Sequence, residues 1–324
     1  MSSIQTHYSL GGEPFAASST SQELISRFSA LFGGFAAARE DNAFQIGLHY
    51  GDVPEPPGEW PLVFEGDLPI EGYCRLYQQG DKSLLQFPLR GGLVIDRGAM
   101  RAELTLAPDR IDAMGGTLGM SLIMGVADAY DQALVHAAAL TLPGDGRMVL
   151  VHAPSGLGKT TLSLALLKGG YGLASDDAAF IKLGKGITAF GLPRDLKVHR
   201  KTAEMMPWVE SCLVGEWNRE EERRLPRDNL SVLGRFEPPV PRPVAGLCRL
   251  SRHNGPSDIR ELGQADLLSS LAGDNLRVGR GGLPPRERRQ FALFARLVGA
   301  VPIFELRMGS DLGRIPALLD RHLS

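Results

Sequence analysis

The chain has 324 residues, 43% hydrophobic and 22% charged, with a formal net charge of −2; this excludes a disordered, collagen-like or coiled-coil protein and fits one large domain or two unequal ones. The charge is unevenly divided, with 8 Lys/Arg against 17 Asp/Glu in residues 1–131 and 27 against 20 in residues 132–324. The positive half contains no compact Lys/Arg run, so nucleic acid is not expected as a partner.

No basic stretch followed by an apolar run opens the chain. Its longest uncharged helical run, Ala113–Ala127, is shorter than the roughly 20 residues a bilayer crossing needs. A membrane is therefore not expected. Cys74, Cys212 and Cys248 are widely spaced, which suits reduced thiols in a cytoplasm and no Cys-based zinc site. A cytoplasmic protein is expected.

In chain order, Ser21–Phe35 has the apolar spacing of a helix, shortened by Gly33-Gly34. Six short runs follow, rich in Leu, Val, Ile and aromatics: Phe44–His49, Leu62–Phe64, Tyr73–Gln78, Ser83–Phe87, Gly92–Ile95 and Ala102–Leu106. They read as strands, with a hairpin tip at Gln79-Gly80-Asp81. Residues 1–112 are thus expected to form a mainly β domain with a substrate-recognition or oligomerisation role, and residues 113–324 a second domain. Leu118–Tyr130 reads as a helix. Leu134–Leu142 and Arg147–His152 read as strands joined by Pro143-Gly144-Asp145-Gly146, a strong turn signal. Glu216–Asp228, dense in both charges, reads as a solvated helix or mobile loop, or else a substrate-gripping loop. Glu237–Pro243 reads as an extended Pro-rich connector. Arg286 to Leu297 reads as a helix and Pro302–Arg307 as a strand. Asp311–Leu323 reads as a closing helix capped by Asp311.

Residues 153–160, APSGLGKT, match the Walker A pattern G-x-x-x-x-G-K-[ST] except for Ala153 at the first place. Gly156 and Gly158 let successive backbone N–H groups turn inward toward phosphate oxygens. Lys159 brings a point charge to the β/γ-phosphates, and the Thr160 hydroxyl can ligate Mg²⁺. The apolar strand Met148–His152 precedes the loop, and the helix Lys159–Lys168, ending at Gly169-Gly170, follows it. That helix adds its dipole to the site. Ser155, Gly156, Leu157, Gly158, Lys159, Thr160 and Thr161 are the candidate phosphate ligands, with ATP and Mg²⁺ the expected cofactors. Ala153 is expected to keep a negative φ.

Asp176-Asp177 stand 17 and 18 residues after Lys159, at the end of the apolar run Tyr171–Ser175. Adjacent carboxylates beside a phosphate loop are where a metal ion and a general base are wanted, and in a dry site both ionise only with a cation nearby. If the Pro143–Gly146 turn closes a tight hairpin, paired positions sum to 289. His136 then falls opposite Ala153 and points toward the γ-phosphate or the acidic pair, while His152 falls opposite Ala137 and is structural. Gly191–Lys197 supplies Arg194 and Lys197, which read either as γ-phosphate or substrate-carboxylate ligands or as ordinary surface cations.

The run Leu134-Val135-His136-Ala137, APSGLGKT, and Leu173-Ala174-Ser175-Asp176-Asp177 together resemble the catalytic core of the HPr kinase/phosphorylase family. The likeness is greatest to the HPr-kinase-related proteins that include lasso-peptide precursor kinases, and it spans roughly residues 115–200. The resemblance implies an α/β fold with a P-loop kinase core, related to phosphoenolpyruvate carboxykinase. It also implies Mg²⁺-ATP and phosphorylation of a serine hydroxyl on a peptide or small protein. In the same way it implies that His136 is the active-site histidine, Asp176 the base and Asp177 a metal carboxylate. The residues themselves leave the division between the two Asp open. Related kinases assemble into oligomers, so a homo-oligomer is also implied. Two departures stand out: Ala153-Pro154 replace the usual Gly-Asp, and Arg277–Gly282 (RVGRGG) does not match the Pro-Gly-Arg-Asn element of HPr kinases proper. Phosphorylase activity and HPr as substrate are accordingly not expected. Two alternatives to a peptide kinase are a kinase for a free amino acid or other small hydroxyl compound, and a nucleotide-bound scaffold. The cations of the second half, notably Arg194, Lys197 and the 277–289 stretch, favour an acidic or carboxylate-ended peptide.

Overall fold

The expected strands from Phe44 to Leu106 all form, and two more precede them. The computed structural model describes residues 3–68, 71–230, 234–276 and 283–323, in two compact units, Met1–Ala133 with Val278–Glu287 and Leu134–Arg277 with Arg288–Ser324. Both are mixed α/β. No described helix is long and apolar enough to cross a membrane.

In the first unit, β1 (Ile4–Leu10) and β2 (Glu13–Ser19) form a hairpin, followed by α1 (Gln22–Phe32) and β3 (Phe44–Tyr50). The strands β4 (Leu62–Leu68), β5 (Gly72–Gln79), β6 (Lys82–Phe87), β7 (Gly91–Asp96) and β8 (Arg101–Leu106) complete one sheet in the order β1-β2-β3-β8-β7-β6-β5-β4. Strands β2 and β3 are parallel, which requires a crossover, and α1 provides it. Ser21 caps α1 by accepting from the Leu24 N–H, and Leu24, Ile25, Phe28 and Phe32 turn inward. Helix α2 (Thr117–Ala129) buries Leu118, Leu122, Ile123 and Val126 and packs on β7 and β8. That packing places it in the first unit, so the division falls at 133/134 rather than the expected 112/113.

The second unit opens with β9 (Gln132–Val135), which straddles the division, then β10 (Ala137–Thr141), β11 (Met148–His152) and α3 (Lys159–Lys168). Next come β12 (Gly172–Ser175), β13 (Ala179–Leu183), β14 (Ile187–Gly191) and β15 (Leu196–His199), then α4 (Arg200–Met205) and α5 (Pro207–Glu210). The remainder is β16 (Glu222–Leu225), α6 (Arg227–Leu230), β17 (Arg242–Arg252), β18 (Asp258–Glu261), α7 (Gln264–Asn275), α8 (Pro285–Ala300), β19 (Ile303–Met308) and α9 (Ile315–Leu323). The described sheet runs β12-β10-β11-β17-β14-β13-β9, with β19 beside β17 and β18 beside β19. Strand β17 is parallel to β11 on one side and to β19 on another. Leu162, Leu166 and Leu167 of α3 bury with Val149 and Val151 of β11 in one apolar cluster.

The hairpin arithmetic holds: Ala137 faces His152 and Thr141 faces Met148, every pair summing to 289. The run Leu134–Leu142 is not one strand, however. It breaks at His136, between β9 and β10. Glu216–Asp228 is neither a solvated helix nor a loose loop. The Asn218 side chain accepts from the N–H groups of Glu220 and Glu222, and the chain continues as β16, paired with β15. Glu237 in the connector is buried, its carboxylate held by Thr141, Arg235 and Arg242. Asp311 does not cap the last helix through its side chain, because its Oδ1 accepts from the Ser257 N–H and hydroxyl.

Gly191, at the end of β14, lies so close to β12 that an added Cβ would fall 2.3 Å from the Ala174 carbonyl carbon. Backbone cannot retreat as a flexible side chain can. Gly191→Ala should therefore cost about 1–3 kcal/mol, seen as a lower urea midpoint. An unchanged midpoint would show that β12, which carries Ser175, is not fixed by this contact.

Candidate phosphate-binding site

The loop between β11 and α3 closes on two left-handed glycines, Gly156 at φ 79° and Gly158 at φ 107°. A Cβ on Gly158 would meet Met308 Cε at 2.8 Å, the movable end of a flexible side chain, so it is the left-handed conformation that demands glycine there. Ala153 is not among the positive-φ residues, as expected. Helix α3 begins at Lys159, and its first intrahelical bond is Leu162 N–H to Gly158 O at 2.9 Å. The N–H groups of Lys159, Thr160 and Thr161 therefore stand before the ladder begins, at the positive end of the helix.

Lys159 is buried, 7% exposed. Its ammonium donates to Ala153 O at 2.7 Å, lies 2.9 Å from His136 Nε2 and 3.7 Å from Asp177 Oδ1. Burial pushes it below the usual lysine range, opposed by Asp177, Asp274 and Asp176. His136 Nε2 is also 2.8 Å from Asp177 Oδ1. One ring nitrogen thus sits between an ammonium and a carboxylate, and it can accept from the first or donate to the second. The His136 hydrogen bond is the main cause holding the Asp177 carboxyl below the usual range, with Lys159 and Arg194 adding to it.

The two carboxylates differ. Asp176 is buried and its Oδ2 accepts from Thr160 Oγ1 at 2.9 Å, whereas the Asp177 side chain is 64% exposed. Ser175 Oγ accepts from the N–H groups of Asp177 and Ala178, which fixes the turn carrying both. Burial pushes Asp176 up to about 6, with Asp177 adding to the rise and the Thr160 hydrogen bond opposing it. A carboxyl raised in this way favours the folded state when protonated. Its contribution is present at low pH and is lost as pH rises toward and past about 6. Asp176→Asn should therefore be more stable than the native chain at neutral pH, by roughly 3 kcal/mol for a shift of this size. The difference should vanish toward pH ~4. Urea titrations without Mg²⁺ or nucleotide measure it, and a difference that does not change with pH would refute a charged, buried Asp176.

Arg194 belongs to the cluster. Burial pulls its guanidinium below the usual arginine range, and the charges of Asp177 and Asp176 oppose that pull. Lys197 does not belong to it. On β15, Leu196 and Val198 are buried and Lys197 is on the other face, 73% exposed and 3.9 Å from Glu222. The Thr161 hydroxyl is hydrogen-bonded to the Thr202 hydroxyl of α4 at 2.8 Å, either oxygen donating, while its N–H stands free of the helix ladder. Of the 277–289 stretch, Arg277 and Arg280 lie outside the described residues, and Arg286, which belongs to the first unit, pairs with Asp128 within that unit.

Several contributors are not legible in the sequence. Arg252, at the end of β17, donates to Gly156 O at 2.9 Å and holds the tip of the loop. Asn275 accepts from the His136 N–H at 2.6 Å. The buried His152 contacts His136 O through Nδ1 at 3.2 Å and Ser270 Oγ through Nε2 at 2.9 Å. No group of three or more His, Cys, Asp or Glu suited to a metal occurs among the described residues. The neighbouring oxygens of Thr160 and Asp176 are hard donors that would suit Mg²⁺ completed by phosphate and water. No protein-family model matches the chain, and no curated protein matches it.

Proposed function

We propose that the chain is an ATP- and Mg²⁺-dependent kinase that phosphorylates a serine hydroxyl of a peptide or small protein, with a P-loop kinase core of the HPr kinase/phosphoenolpyruvate carboxykinase type. Ribosomal natural-product precursors, the lasso class among them, are the acceptors this reading favours, and the cytoplasm is its place of action. One juxtaposition carries the reading. The glycine loop, Lys159 and the first N–H groups of α3 stand against two carboxylates and a histidine. Groups that hold phosphate and groups that take a hydroxyl proton therefore occupy one place.

Thr160 Oγ1 and Asp176 Oδ2 are the pair that would hold Mg²⁺. The ion, when bound, supplies neutralisation of charge on the β- and γ-phosphate oxygens. Lys159 exchanges its bond to Ala153 O for the phosphates. The acceptor oxygen forms its bond to the γ-phosphorus while the bridge to the β-phosphate breaks, its electron pair leaving with ADP. A general base must lie within hydrogen-bond reach of the hydroxyl. Asp177, exposed and oriented by His136, meets that requirement better than Asp176, which is buried against Thr160. The two carboxylates thus exchange the roles that the family resemblance implies. Arg194 is the cation for a γ-phosphate oxygen or an acceptor carboxylate.

The test is a competition, with Mg²⁺-ATP, free L-serine, and serine-ended peptides with free or amidated C-termini, followed by the mass gain of one phosphoryl group. Preferential phosphorylation of peptide is expected. Free serine modified as efficiently would replace the peptide with a small-molecule acceptor. Nucleotide binding without transfer to any acceptor would leave a nucleotide-bound scaffold.

A further inference from the structure

His136 breaks what would otherwise be one strand, and both of its backbone groups are engaged by side chains. Its N–H donates to Asn275 Oδ1, in the last turn of α7, at 2.6 Å. Its carbonyl is 3.2 Å from His152 Nδ1. A carbonyl oxygen can only accept, so this bond puts the proton of a neutral His152 on Nδ1 and leaves Nε2 an acceptor. Ser270 supplies the matching hydroxyl 2.9 Å from Nε2, and Asp274 Oδ2 lies 3.6 Å away. Burial, with Lys159 and His136 nearby, holds His152 below the usual imidazole range against the pull of the His136 carbonyl and Asp274, which agrees with a neutral ring. Three residues of α7 and one of β11 thus fix the backbone from which the His136 ring reaches Lys159 and Asp177.

We propose that His152 is a positioning residue: together with Ser270 and Asn275 it holds the His136 backbone so that the ring meets Lys159 and Asp177. The inference rests on the kinase reading for its kinetic arm only. The experiment uses the full chain and three variants. His152→Leu removes the donor to His136 O, His152→Asn keeps an N–H close to the place of Nδ1, and Asn275→Ala removes the acceptor on the other side. Long-range ¹H–¹⁵N spectra of the imidazoles read the ring states, and transfer kinetics with nucleotide titration read function.

The native chain should show His152 protonated on Nδ1. His152→Leu and Asn275→Ala should both shift the His136 ring signals and lower kcat by about 10–100-fold, the usual effect of a displaced supporting group. Nucleotide affinity should stay within about three-fold, since residues 153–160 and the two loop glycines are unchanged. His152→Asn should restore both readouts toward native. If His152→Leu does not fold, Asn275→Ala, half-buried at a helix end, carries the test. A His152 proton on Nε2, or His136 signals unmoved in Asn275→Ala, would overturn the proposal. Ring shifts as expected in a chain with no transfer activity would sink the kinase reading and leave the positioning role standing.

Discussion

On the kinase reading, Lys159→Ala should lower phosphoryl transfer by about 10²–10³-fold or more in a protein that still folds. The ammonium is the cation placed at the start of α3, within the loop that two left-handed glycines shape. Its removal takes away both positioning and charge stabilisation of the transferring group. The fold should survive because Asp177, the carboxylate nearest the ammonium, is exposed, so water can take the place of the lost charge. The mass shift of the acceptor measures the effect, with circular dichroism as the control for folding. Near-native turnover in this variant would remove the loop from the chemistry altogether.

The second large effect separates the carboxylates. Asp177→Asn should lower kcat by about 10²–10⁴-fold with ATP affinity within a few-fold, the usual worth of a general base. Asp176→Asn should instead weaken Mg²⁺-dependent nucleotide binding, because its oxygen is the one that touches Thr160. Isothermal titration in the presence and absence of Mg²⁺, alongside turnover, distinguishes the two. The opposite pattern, with Asp176→Asn defective only in rate, would return the base to Asp176 and the metal to Asp177.

The site was legible where it is local. The Gly156–Gly158 turn, the helix from Lys159 and the acidic pair are each written in a few neighbouring residues. The register at His152 followed from one turn, since a short hairpin leaves no freedom in pairing. Other features were fixed by distant partners. No local pattern says that the Thr161 hydroxyl will find Thr202, or that Lys197 will fall on the outward face of a four-residue strand. The break at His136 was hidden for the same reason: residues 134–142 have a continuous strand composition, and it is Asn275 and the His152 ring that take up its backbone groups. In the first unit, β1 and β2 passed unread because IQTHYSL and EPFAASS are rich in small and polar residues. They become strands by pairing with each other and beside β3.

The parallel partnership of β11 with β17 has a further meaning for how the chain is made. The strand leading into the phosphate loop takes Val244–Arg249 as its neighbours, and His136 takes a partner 139 residues downstream. Synthesis proceeds from the N-terminus, so the ribosome must release most of the second unit before these pairings can close. Pairings so distant in sequence also carry a high loop-closure cost and slow folding. The nascent loop therefore has its glycines, lysine and carboxylates long before it has Arg252 or Asn275. The assembled cluster around Lys159 should therefore form late, once α7 has emerged.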